Sequence, residues 1–205
     1  MNSFSQSDKE RIAKAISEAE AKTSGEIVAV VAARSDDYFY IPVLWAAIVS
    51  LFVPWPLLAF TGLAPWRVFL VQLLVFLVVA LATRIPALCR LLVPRAVMRG
   101  RAHHRAIEQY LAQGMHTGKG RTGVLIFVSI NERYAEIIAD ADIYARAAKS
   151  TWQPILDELV HHIEAGDPAA GFSHAIAASG EVLAEHFPPG ESDHDELPNQ
   201  LIMLD

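Results

Sequence analysis

The side chains of this sequence whose type and spacing best suit a functional site are carboxylates, which could bind a divalent cation. Asp36 and Asp37 follow one apolar run, and Asp140 and Asp142 follow another. If these runs are neighbouring parallel strands, their carboxyl ends lie at one edge of a sheet, where α/β proteins bind ligands. Hard cations prefer several carboxylate oxygens. We therefore predict a calcium or magnesium site at Asp36, Asp37, Asp140 and Asp142, with Glu132 as a weaker member in a turn at the opposite end of its strand. The alternative is that these loop acids are only solvated.

Other motifs carry weaker signals. Residues 118–123 read Gly-Lys-Gly-Arg-Thr-Gly, which lacks the spacing of a phosphate loop and opens a strand instead of a helix. Adjacent residues on a helix project about 100° apart, so neither His103-His104 nor His161-His162 forms a good chelate. The sequence shows no nucleophile elbow and holds one cysteine, Cys89. The catalytic residues, if any, are therefore unknown, and phosphoryl chemistry would need a metal at the aspartates.

An apolar block separates the two pairs of aspartates. Residues 38–83 contain one charged residue, Arg67, whereas the whole chain of 205 residues is 20% charged and 53% hydrophobic, with a mean hydropathy of +0.28. Residues 41–63 and 66–83 each approach the ~20 residues that cross a bilayer, and Thr61-Gly62-Leu63-Ala64-Pro65 between them has turn chemistry. We predict a transmembrane hairpin over residues 38–83; the alternative is a buried hairpin of a soluble core.

The composition excludes several classes of protein. A simple cytosolic enzyme does not carry such a block, and a polytopic transporter does not leave most of its chain polar. One cysteine excludes a disulfide scaffold, and the net charge of −6 argues against nucleic acid as a partner. Ser50 and Gln72 are the strongly polar side chains between the ends of the spans, and the lack of ionisable groups at that depth argues against a transport path. Gln72 instead offers a hydrogen bond to a second copy or to a membrane protein partner.

Basic residues predict the orientation of the hairpin. Residues 84–123 hold eight Lys and Arg residues against one acid, Glu108. The positive-inside rule then places both termini and the polar remainder in the cytoplasm, with the hairpin in the cell inner or plasma membrane. This membrane-proximal basic face would also contact anionic headgroups of the lipid bilayer; it comprises Arg84, Arg90, Arg95, Arg99, Arg101 and Arg105.

The polar remainder has the pattern of an α/β domain split by the hairpin. Apolar residues at helical spacing alternate with short β-branched runs, and a lone strand before the hairpin must pair with strands after it. We therefore expect a sheet with helices on both faces. The predicted helices span residues 7–22, 95–113, 151–164 and 168–186, and the predicted strands span 26–32, 124–129 and 134–140. The domain parts are then 1–37 and 84–187, followed by an acidic tail, 188–205.

Three of these segments resemble the TPM domain family, named for a thylakoid-lumen protein, a photosystem repair protein and a nematode receptor accessory protein. The matching sequences are SGEIVAVV (24–31), RTGVLIFVS (121–129) and AEIIAD (135–140). The resemblance implies a Rossmann-like α/β/α sandwich with a mixed sheet, with a transmembrane pair inserted as in some bacterial members. It also implies protein-complex maintenance, divalent-metal binding or acid phosphatase activity. Many members have glycines in the loop after the third strand, whereas this chain has Asp140-Ala141-Asp142-Ile143.

Two functions fit the sequence. The first is a non-enzymatic interaction or assembly module, anchored in the membrane and acting on a membrane protein partner or as a homo-oligomer. The second is a metal-dependent phosphatase, which rests on the acidic loops and on the family resemblance. The tail is either disordered from Pro188 onward or docks through its apolar end, residues 201–204.

Overall fold

The computed structural model of the chain describes residues 4–38, 40–83, 85, 92–115, 122–189 and 198–204. It divides into two compact units, one formed by Met1–Ser35 with Arg101–Asp205 and the other by Asp36–Gly100. We call the first the α/β unit and the second the hairpin unit. In chain order, the elements are α1 (Gln6–Glu20), β1 (Glu26–Ala32), α2 (Tyr40–Phe52), α3 (Pro54–Phe60), α4 (Pro65–Ala82), α5 (Arg95–Ala112), β2 (Gly123–Ser129), β3 (Tyr134–Ala139), α6 (Ala141–Arg146), α7 (Lys149–Glu164), α8 (Pro168–His186) and β4 (Leu201–Leu204).

Four strands of the α/β unit form one mixed sheet with the order β3-β2-β1-β4. Strand β1 lies in the centre and pairs in parallel with both β2 and β4. Strand β3 pairs antiparallel with β2, because a turn of only four residues, 130–133, joins them. Strand β3 therefore runs opposite to β1 as well.

Alternate residues of the central strands enter two different hydrophobic cores, because successive side chains of a strand point to opposite faces. On one face, Ile27, Ala29 and Val31 of β1 pack with side chains of α1, α7 and α8. On the other face, Val28 and Val30 pack with a cluster that includes Ala106 of α5. The predicted sheet with helices on both faces is thus confirmed as a mixed α/β fold.

The structure differs from the sequence prediction at two helix starts and in one loop. Helix α1 begins one residue earlier than predicted, since Ser5 is its N-cap and forms a capping box with Asp8. Helix α7 begins at Lys149, two residues before the predicted start at residue 151. The predicted loop after β3 is the short helix α6, which explains why it needs no glycine.

The tail ends in the strand β4, so the docking alternative is confirmed. Its four residues pair in parallel with Ala29–Ala32 of β1, and Leu201 is buried in the larger core. A strand at this place covers an edge of β1 that would otherwise expose unpaired backbone groups. Residues 190–197 of the predicted acidic tail lie outside the described residues.

The hairpin unit contains three apolar helices. Helices α2 and α3 are interrupted at Val53, directly before Pro54, and together span Tyr40–Phe60. Proline lacks the amide hydrogen that would continue the helix, which explains the break. The turn between Phe60 and Pro65 lets α4 return beside α2, and Ala46, Ser50 and Val68 are buried in the unit.

Candidate functional site

The edge at which β1 and β2 end holds a buried carboxylate. Glu132 lies in the β2–β3 turn and is only 9% exposed. The turn is held against the end of β1, because the Ile130 and Asn131 amides donate to the carbonyls of Ala32 and Ala33. Arg133 closes it with a φ of +50°, an uncommon conformation for a residue other than glycine.

Glu132 receives hydrogen bonds from both sides of this edge. The backbone amide of Ser35 lies 3.2 Å from each carboxylate oxygen, and the hydroxyl of Ser129 donates to one of them. The Ser35 hydroxyl in turn donates to the Ser129 oxygen at 2.7 Å. We call Ser35, Ser129 and Glu132 the Glu132 cluster. It joins the β2–β3 turn to the residue at which the α/β unit passes into the hairpin unit.

The opposite edge, where β3 ends, holds Asp140. This side chain is 8% exposed and accepts a hydrogen bond of 2.6 Å from the Tyr110 hydroxyl. Its other oxygen lies 3.3 Å from the Gly123 amide, and its own amide donates to the Gly123 carbonyl. Burial raises the pKa of Tyr110, and the hydrogen bond to Asp140 raises it further. Asp140 therefore joins α5 to the ends of two strands, whereas Asp142 is exposed in the first turn of α6.

Asp36 and Asp37 begin the hairpin unit. Asp36 accepts a hydrogen bond of 3.0 Å from the backbone amide of Tyr38, which stabilises the φ of +48° at Tyr38. Tyr38 is 6% exposed and packs with Ile41. Asp37 is exposed.

The expectation that the two aspartate pairs share one edge of the sheet is wrong. It assumed that the strands before them run parallel, but β3 runs opposite to β1 because the short turn reverses the chain. Strand β1 spans seven residues, so the two edges are about 20 Å apart at ~3.3 Å per residue. Glu132, the weaker member in the sequence analysis, is the acid that lies where β1 ends. Calcium or magnesium binding stays a prediction, and among the described residues no group of three or more His, Cys, Asp and Glu side chains is placed to hold a metal ion.

Sequence analysis missed the polar partners of both buried acids. The spacing Ser129-x-x-Glu132 is the serine–glutamate spacing of a capping box and could have indicated a local hydrogen bond. The pair of Tyr110 and Asp140, 30 residues apart, has no such local signal. The same is true of His103, whose Nδ1 lies 2.8 Å from a carboxylate oxygen of Glu136.

The predicted basic face lies in part on α5. Arg95, Arg99 and Arg101 are exposed, and the first turn of this helix contains no acid. Arg105 is partly buried and donates to Glu108 at 3.1 Å. Arg84 and Arg90 lie outside the described residues.

The apolar helices carry most of the exposed large apolar side chains among the described residues. Both apolar segments, Tyr40–Phe60 and Pro65–Ala82, are long and apolar enough to cross a membrane. In the most apolar 18-residue stretch of each segment, only 11% and 6%, respectively, is buried. Trp55 is 77% exposed and Phe60 is 87% exposed. The Arg67 guanidinium lies 5.2 Å from the centre of the Trp66 ring at the turn between the helices. Soluble proteins rarely expose a patch of this kind, whereas membrane and partner surfaces require one.

Comparisons with known proteins support the fold. Residues 92–182 match a family profile described as TPM domain. The NMR structure of the BA42 protein from the psychrophilic bacterium Bizionia argentinensis is similar to this chain, with a TM-score of 0.62 and 19% sequence identity over 98% of this chain and 94% of BA42. At this identity the similarity concerns the fold alone. No curated protein sequence matches the chain.

Proposed function

We propose that the hairpin unit anchors this protein in the cell inner or plasma membrane. We further propose that its α/β unit acts as an interaction module on a membrane protein complex. The α/β unit contains most of the residues that match the TPM domain profile. The observation that carries the proposal is the exposure of two membrane-length apolar helices. Residues 38–83 contain a single charge, and exposing a large apolar side chain to water instead of burying it costs about 1.5–3 kcal/mol.

The dimensions of the helices support insertion into a bilayer. Helix α4 has 18 residues, so it is about 27 Å long at 1.5 Å per residue, close to the ~30 Å hydrocarbon core of a bilayer. Helices α2 and α3 together have 21 residues. Trp55 and Trp66 lie toward the turn between the spans, where aromatic rings favour the level of the headgroups.

Charge supports a cytoplasmic α/β unit. The chain leaves the apolar block into a segment with eight basic residues and one acid, and such segments stay on the cytoplasmic side. Because the hairpin crosses twice, the residues before it lie on the same side. The exposed Arg95, Arg99 and Arg101 then face anionic lipid headgroups.

The position of the hairpin in the chain supports an interaction module. Strand β1 precedes the apolar helices and its partners β2 and β4 follow them, so the sheet is tied to the hairpin by two connections instead of one. Such a domain stays beside the membrane and meets membrane proteins there. The phosphatase alternative, which rests on the acidic loops and on the family resemblance, stays a prediction, and we propose the interaction module as the function that this chain order favours.

Membrane fractionation tests the anchor. We expect the full chain to stay in the membrane fraction after extraction with alkaline carbonate. A matched variant with a Gly/Ser linker in place of residues 38–83 is expected to move to the soluble fraction. A full chain that carbonate releases as a folded monomer would contradict the proposal. Chemical cross-linking of the full chain in native membranes tests the module: adducts with membrane proteins or with a second copy support it, and turnover of phosphate esters without any adduct would overturn it.

A further inference from the structure

Strand β3 forms one end of the sheet, so its outer side pairs with no strand among the described residues. The Asp140 amide donates to the Gly123 carbonyl at the start of β2, and the backbone groups of an antiparallel strand alternate in direction from residue to residue. The amides and carbonyls of Ala135, Ile137 and Ala139 therefore point away from β2. An outer edge of this kind is a template for a strand from another molecule.

The sequence of β3 makes this edge prone to strand addition. It reads YAEIIA, with one charged residue and neither glycine nor proline. Six-residue segments of low charge without proline are typical of strands that pair with further strands. The opposite edge strand, β4, has only four residues, and natural sheets blunt an edge by keeping it short. Strand β3 is longer and needs another form of protection.

The Tyr144 hydroxyl occupies part of this outer edge. It accepts a hydrogen bond of 3.3 Å from the Ala139 amide and donates one of 3.2 Å to the Ile137 carbonyl. Both backbone groups point outward and would bond to an added strand if the hydroxyl were absent. A single side chain thus takes the place of a neighbouring strand at two consecutive backbone groups.

Helix α6 holds Tyr144 at this position. Ile143, the residue before it, is fully buried in the larger core, and adjacent residues of a helix project about 100° apart. At the end of α6, the Arg146 guanidinium donates to the His186 carbonyl at 2.9 Å and lies 4.7 Å from the centre of the Phe187 ring. The helix is therefore fixed both to the core and to the end of α8, while its tyrosine reaches the edge of β3.

We propose that Tyr144 closes the outer edge of β3 against the addition of a strand from another molecule. The side chain is 37% exposed, so an incoming strand meets the ring before it reaches the backbone of β3. The closure lies within the α/β unit and does not depend on the membrane anchor.

Hydrogen exchange and sedimentation of the full chain in micelles test the closure. Tyr144→Phe keeps the ring and removes the hydroxyl. We expect the Ala139 amide to exchange about 2- to 10-fold faster, which corresponds to the loss of one net hydrogen bond. The Ala135 amide, which is not a partner of Tyr144, should keep its rate. We also expect this variant to form oligomers that the wild type does not form, since each copy then presents an open edge to the others.

Two further variants locate the effect. Tyr134→Phe is the matched control, because it also removes a tyrosine hydroxyl, but one that donates to the Glu136 carboxylate of its own strand. We expect it to sediment like the wild type. Combining Tyr144→Phe with Ala135→Pro should abolish the new oligomers, since a proline at an outward-facing amide hinders an added strand without removing a bond to β2.

The exchange rates and the oligomers together decide between the outcomes. Unchanged exchange of the Ala139 amide in Tyr144→Phe, or faster exchange without new oligomers, would overturn the closure. Oligomers that persist in the double variant, or that Tyr134→Phe forms equally, would contradict it as well, because they would arise elsewhere in the chain. Faster exchange at Ala139, together with oligomers that only Tyr144→Phe forms, supports the closure.

Discussion

Buried acids in the α/β unit are paired with groups of the protein itself. Glu132 accepts from the Ser35 amide and the Ser129 hydroxyl, and Asp140 accepts from the Tyr110 hydroxyl and the Gly123 amide. Buried charge is stable when it is hydrogen-bonded in this way. Both carboxylates therefore join elements that are distant in the sequence, and their first role is to position those elements.

Removing the Glu132 carboxylate is expected to destabilise the α/β unit. Glu132→Ala leaves the buried Ser129 hydroxyl and the Ser35 amide without this acceptor, and each buried unsatisfied group costs roughly 1–3 kcal/mol. The decrease in the free energy of unfolding is measured by denaturant unfolding of the full chain in micelles, monitored by circular dichroism. The control is Glu185→Ala, at an exposed position of α8, which we expect to change the free energy of unfolding by less than about 0.5 kcal/mol. Equal effects of both variants would contradict the role of the Glu132 cluster.

The Tyr110 hydroxyl is expected to contribute stability that depends on pH. Its pKa is raised in the folded protein, so folding favours the protonated form. The contribution is then fully present below the pKa of an unfolded tyrosine, about 10, and is lost as the pH rises above it. Tyr110→Phe should cost roughly 1–2 kcal/mol at neutral pH. Unfolding curves of both proteins from pH 8 to 11 should converge as the pH rises; a constant difference would argue against this assignment.

Close packing of α1 against α8 depends on a glycine. A Cβ atom added at Gly180 would lie 2.7 Å from the Cβ and 3.2 Å from the Cα of Ala19, so the two helices would have to move apart. In contrast, Gly100 in α5 has no atom within 4 Å of an added Cβ. The two positions thus separate a packing requirement from helix propensity.

Substitution of these two glycines by alanine is expected to have opposite effects. Gly180→Ala should destabilise the protein by roughly 1–3 kcal/mol through overpacking, although alanine is the better helix former. Gly100→Ala should stabilise it by up to about 1 kcal/mol, because propensity acts there alone. Thermal unfolding measures both. Stabilisation by Gly180→Ala would show that the two helices separate easily.

The whole chain distributes its charge unevenly around the apolar block. The basic residues after the hairpin predict that both termini lie in the cytoplasm. We expect fluorescent-protein fusions at either terminus to fluoresce and alkaline phosphatase fusions to be inactive. Changing Arg84, Arg90, Arg95, Arg99, Arg101 and Arg105 to Gln should invert a fraction of the molecules and raise the phosphatase signal.

A control variant tests whether the position of the basic residues matters. Arg11→Gln and Lys14→Gln remove basic residues from α1, more than 20 residues from the first span, where charge has little influence on orientation. We expect this variant to keep the wild-type orientation. Active phosphatase fusions on the wild-type chain would contradict the cytoplasmic placement of the α/β unit.

Local patterns in the sequence were sufficient for the elements. The β-branched run 26–32 is β1 at the predicted bounds, because a buried strand needs only consecutive apolar residues and a turn on each side. The apolar block predicted two membrane-length helices for a similar reason, since composition and length alone decide whether a helix can cross a bilayer. The helical pattern of 168–186, with Asp167 before it, likewise predicted α8.

Only the tertiary structure decided which side chains meet. The direction of β3 depends on its pairing with β2, and this pairing separated Asp140 from Asp36 and placed Glu132 beside Ser35. Residues 201–204 form strand β4 because they pair with an edge of β1 that would otherwise be free. Hydrogen bonds such as Tyr110 to Asp140 join residues far apart in the chain. Their partners depend on how strands and helices are assembled, and no local spacing in a single sequence encodes that assembly.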